Sequence, residues 1–169
     1  AQDPAPTGPE VKFLDKVAGK HPRLLFSADQ IPELRAFYNS AEGKGYRDLI
    51  EKFVPQCKVP ADHRTDKYWG QDIGPHKMPV VALHYLMTGD KKSLAACVDF
   101  LTWLNGQDDW TTEGEGKRQE PNSDTAASFP MVGAALMYDW VYNDLDPAFR
   151  EQFRQTLLFH ARAMYYGGH

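Results

Sequence analysis

His21-Pro22-Arg23-Leu24-Leu25-Phe26-Ser27 joins a proline-rich lead-in to the first helical pattern of the chain, and its reading decides the fold. Ser27 is a good helix cap and Gln30 stands three positions on, the spacing of a reciprocal capping box. Ile31, Leu34, Phe37 and Tyr38 then mark one helical face. The apolar Leu24-Leu25-Phe26 run sits where a segment docks as its helix begins. The pattern predicts an all-helical body.

Upstream, residues 1–20 read as a tether, with Pro4, Pro6 and Pro9 giving way to a short amphipathic stretch, Val11–Val17. Residues 21–169 read as one domain. Its first helix is expected from Ser27 to the Gly43-Lys44-Gly45 break, and a second from Tyr46 to Val54, halted by Pro55. Residues 55–76 carry no period, and a loop of that length inside a compact domain tends to be functional or disordered.

Regular structure resumes at Met78. Val80 to Met87 is helical, Thr88-Gly89-Asp90 is a tight reversal, and Leu94, Val98, Leu101 and Leu104 trace the returning stripe. A second hairpin runs from Thr125 to Tyr142 and back along Phe149, Phe153, Leu157, Ala161 and Met164. Between its arms, Asp146-Pro147 sets a capping side chain before a proline in the first helical position. With hairpins at about 77–104 and 124–166 and no alternating segment, the expected class is all-α: antiparallel helical hairpins packed side by side. Two hairpins cannot close a ring. Phe149, Phe153 and Leu157 with Leu94, Val98 and Leu101 are therefore expected to leave an uncovered flank that abuts further protein.

The 169 residues include 42% hydrophobic ones, enough for a core, and carry a formal charge of −4. Residues 108–124 alone hold six acids against two bases, which leaves the rest balanced. No basic patch supports nucleic-acid binding, and no apolar run approaches the roughly 20 residues of a membrane span. Ala1-Gln2-Asp3-Pro4-Ala5-Pro6 has the look of the residues left after signal-peptide cleavage, which predicts a periplasmic or secreted protein. Cys57 and Cys97 are compatible with one disulfide there, although Cys97 inside a helical pattern also reads as a small buried thiol. His63, His76, Asp62 and Asp72 match no tight metal-ligand spacing. Asp108, Asp109, Glu113 and Glu115 lack the alternating calcium loop, so no metal or other cofactor is called for.

Three segments together resemble the heparinase II/III-like polysaccharide lyases. The first is His21-Pro22-Arg23-Leu24-Leu25-Phe26 with Pro32-Glu33-Leu34-Arg35, and the second runs from Val81 to Asp90. The third is Gly133 to Tyr142 followed by Leu145-Asp146-Pro147. The resemblance implies that the chain is the N-terminal part of an (α/α) toroid, left incomplete by these residues. It implies an enzyme cleaving a uronic-acid-containing, anionic polysaccharide by β-elimination. The family's charge-neutralising Asn or His and its proton-handling Tyr and His then lie beyond the point matching His169, so no catalytic residue is assigned here and this chain alone is expected to be inactive. The family's arginine before the Tyr-Asp-Trp helix is missing, since that neighbourhood reads Asn122-Ser123-Asp124-Thr125. Arg118 is near but not equivalent, which argues against a strongly sulfated substrate.

Substrate contact within the chain is best sought in 105–125, just before a helix N-terminus. Trp110 offers a flat face for stacking on a sugar. Arg118, Asn122 and Asp124 are the polar candidates, Arg118 and Asn122 as donors to carboxylate or hydroxyl groups. The net −4 of residues 108–124 opposes them against a polyanion. Tyr138-Asp139-Trp140 reads first as packing, with Asp139 bonding a neighbouring helix end, and His84 and His160 as satisfied core histidines. Two other readings stand beside the lyase. An (α/α)-barrel glycoside hydrolase would need two carboxylates across a cleft. A non-catalytic helical module would bind carbohydrate or a partner domain. The partners expected are the anionic polysaccharide and either the remainder of the same protein or a second chain.

Overall fold

The computed structural model describes residues 15, 17–60, 73–107, 110 and 125–166, and it is all-helical, with six α-helices and no strand among the described residues. A 3-10 turn, Ala28–Gln30, leads into α1 (Ile31–Asn39), and α2 (Lys44–Phe53) follows. The two hairpins are α3 (Met78–Thr88) with α4 (Lys91–Asn105), and α5 (Thr125–Val141) with α6 (Pro147–Tyr166).

Local chemistry accounts for the breaks. The Gln30 half of the capping box forms, with the Ser27 N–H donating to Gln30 Oε1 at 3.0 Å. Gly89 closes α3 in the left-handed region at φ 71°. Asp90 opens α4 by accepting the Ser93 N–H at 2.9 Å. Asp146 does the same for α6, accepting from the N–H groups of Ala148 and Phe149 at 2.9 and 3.0 Å, with Pro147 at the first helical position.

Helix α3 is the hub, touching α1, α2, α4 and α5. Its Met78, Val81 and Ala82 pack in one core with Cys97, Phe100, Leu101 and Leu104 of α4, Met137 and Val141 of α5, and Phe153 of α6. Burying a side chain of Leu or Phe size contributes about 1.5–3 kcal/mol, so this cluster outweighs any single polar contact.

Part of the predicted loop is structured. Ile73–Lys77 forms a π-helical turn running straight into α3. Gly74 lies backbone-to-backbone on α5, where an added Cβ would fall 2.0 Å from the Phe129 carbonyl oxygen. From the other side, a Cβ on Gly133 would fall 2.2 Å from the Gly74 carbonyl oxygen. Only hydrogen fits at that crossing.

The uncovered flank is not where the helical stripes put it. Phe153 and Leu101 are fully buried, and Phe149, Leu157, Leu94 and Val98 are half-buried. Helix α6 packs on α4 as well as on α5, and the Thr156 hydroxyl donates to Asn105 Oδ1 at 2.6 Å, so each stripe gains a second neighbour. Exposed apolar side chains gather instead around the first two helices, at Leu25, Phe37, Tyr46 and Leu49.

Candidate functional site

Arg118, Asn122 and Asp124 lie outside the described residues. Trp110 is described, and it is not a sugar platform in this arrangement. It is 1% exposed, its ring stacks on His160 with centroids 4.1 Å apart, and its indole N–H donates to the Leu104 carbonyl at 3.2 Å. The apolar ring is worth more inside the core than beside an acidic loop. His160, itself buried, forms the other half of that stack.

The densest polar constellation centres on Asp139, 3% exposed on the inner face of α5. Its Oδ1 accepts from His21 Nδ1 at 2.7 Å, and its Oδ2 accepts from the backbone N–H groups of Arg23 and Leu24 at 2.7 and 2.8 Å. Because the acceptor is a carboxylate, Nδ1 carries the hydrogen in the neutral ring. The Arg23 Nε stands 3.8 Å from the same carboxylate. Asp139 therefore binds the lead-in strap rather than a helix end.

Neighbours complete the joint. The Trp140 indole N–H donates to the Leu24 carbonyl at 3.0 Å, and Asn143 Nδ2 donates to the His21 carbonyl at 3.0 Å. The His21 ring stacks on Tyr142 with centroids 3.7 Å apart, and Phe26 lies against Trp140 at 5.1 Å. Leu24 is thus held by both backbone groups, and the chain turns at Leu25, whose φ of 69° is left-handed and whose side chain is 81% exposed. A non-glycine residue there is strained by about 1–2 kcal/mol. The joint overrides that preference.

Burial drives the His21 pKa below its ordinary value, outweighing the hydrogen bond from Asp139 that pushes the other way. A neutral histidine held by a carboxylate is the arrangement of a general base with its orienting acid. The strap beside it borders a 590 Å3 depression with Lys20, Arg23, Ser27, Asp29 and Asn143. All the same, the Asp139 oxygens are spent on two main-chain amides and one ring, which makes the constellation a pin for the strap.

The other candidates are structural. His84 Nδ1 lies 2.7 Å from the Ser93 hydroxyl, which in turn donates to Asp90 at 2.9 Å, so the ring is tied into the cap of α4. Burial, then a hydrogen bond from its hydroxyl to Asp144, pushes Tyr85 up to about 12. Tyr138 also rises to about 12, chiefly by burial, and donates to the Arg150 carbonyl at 2.9 Å. Neither phenol is poised for proton transfer near neutrality.

No helix among the described residues is long and apolar enough to cross a membrane. Compared with protein-family models and with curated proteins, the chain matches none.

Proposed function

We propose that this chain is the N-terminal part of an (α/α) toroid in an exported lyase that cleaves uronic-acid-containing polysaccharide by β-elimination. The observation that supports the reading is the Asp139 joint. It joins two of the three segments that carry the family resemblance, His21–Phe26 and Tyr138–Tyr142, across more than a hundred residues. The third, on α3, packs against both.

In this proposal the helices here form one wall of the substrate cleft. β-Elimination requires the uronate carboxylate to be neutralised, a base to take the C5 proton and an acid to protonate the leaving oxygen. Those groups come from sequence following His169. Arg118, Asn122 and Asp124 contribute substrate contacts ahead of α5. The exposed apolar face at Leu25, Phe37, Tyr46 and Leu49 supports contact with further protein, from the same chain or a second one.

The test is release of the unsaturated uronate chromophore from heparan sulfate, chondroitin sulfate, alginate and ulvan. The 169-residue chain is expected to yield no product, whereas a polypeptide continuing through the family's Tyr- and His-bearing helices is expected to cleave at least one. Robust product from the 169 residues moves the chemistry into this chain. Silence from the longer polypeptide on all four removes the lyase reading.

A further inference from the structure

We propose that Cys57 and Cys97 form an intramolecular disulfide when the chain folds in an oxidising environment. Neither thiol is bridged in the structure, and both are buried in the same core, at 4% and 0% exposure. Cys57 follows the Val54–Gln56 turn at the end of α2 and donates its S–H back to the Phe53 carbonyl at 3.5 Å. It borders a 410 Å3 cavity together with Ala96, Asp99 and Phe100 of α4. Ala96 precedes Cys97 directly and Phe100 lies about one turn beyond it, so Cys57 rests on the strip of α4 that carries Cys97. The two sulfurs are also near enough for each to feel the other's ionisation.

Bridging these residues breaks two S–H bonds and forms one S–S bond. The two electrons and two protons pass to the disulfide of an oxidoreductase or of oxidised glutathione, which becomes the dithiol form. Exchange runs through a thiolate, and burial holds Cys97 far toward the protonated form. The bond therefore forms while the chain folds, before α4 is sealed. Cys57, beside the cavity, is the thiol an external disulfide meets first. The proposal does not depend on the lyase reading.

The test is to refold the reduced chain in a glutathione redox buffer, quench with acid, denature, alkylate and weigh the product. The expected product is a monomer two hydrogens lighter than the reduced chain, carrying no alkyl group, with one linked peptide pair containing Cys57 and Cys97. A bridge closing a loop of about 40 residues should raise the thermal midpoint by about 10 °C over the dithiothreitol-treated protein. A folded monomer that takes two alkyl groups overturns the proposal. So do glutathione adducts or disulfide-linked dimers as the end product.

Discussion

Replacing Asp139 with alanine releases His21 Nδ1 and the Arg23 and Leu24 amides together. Each loses a charged acceptor at 2.7–2.8 Å in a region where the carboxylate is 3% exposed. An unmade hydrogen bond of this kind costs about 1–3 kcal/mol, less where water can replace the partner. Leu24 is 39% exposed, so its amide recovers part of the loss. Summing the three with that discount gives about 4 kcal/mol, within the range for breaking one side of a buried pair. Asp139→Asn keeps one acceptor oxygen and should lose about half as much. Urea unfolding reads both: with a slope of about 2 kcal/mol/M, the alanine variant should unfold about 2 M earlier. Tryptic cleavage after Lys20 and Arg23 should accelerate in step as the strap lifts. An alanine variant within about 1 kcal/mol of the parent, with unchanged cleavage, would refute the view that Asp139 pins the strap.

Leu25→Gly should stabilise the protein by about 1 kcal/mol by relieving the left-handed backbone, and calorimetry showing a clear loss would place the strain elsewhere. Gly133→Ala should lose about 3 kcal/mol by forcing α5 off the Gly74 turn, whereas an unchanged unfolding midpoint would mean that the crossing is loose. His21 titrates below its unfolded value of 6.5, so the unfolded chain binds more protons on acidification. Its contribution is full above pH 6.5 and is lost as pH falls from there through the folded pKa. Unfolding measured across that range should show the slope in the parent and not in His21→Asn, and equal slopes would remove His21 as its source.

The helical skeleton was readable because its signals are local. Apolar spacing marked both hairpins, and Gly89-Asp90 and Asp146-Pro147 ended and restarted helices by capping chemistry that acts within a few residues. What escaped was long-range. Nothing near Asp139 says that its partners lie at His21, Arg23 and Leu24, although a lone acid between Tyr138 and Trp140 on an apolar helix was a signal that it needed some partner. The π-helical turn at Ile73–Lys77 has no apolar period and depends on Gly74 meeting Gly133, a pairing invisible in either neighbourhood. Trp110 looked like a binding surface because its neighbours in sequence are polar, whereas its neighbours in space are His160 and the end of α4.

The separation of 118 residues between His21 and Asp139 sets a clock on biosynthesis. At ordinary elongation speeds of about 5–20 residues per second, the strap emerges roughly 6–24 s before the carboxylate that receives it. Through that interval Leu24, Leu25 and Phe26 have no dock, and a nascent-chain chaperone or translocation factor has a timed opportunity to hold them. Any polypeptide cut before Asp139 would keep that handle open for its whole lifetime, making the strap a reporter of whether α5 has been made.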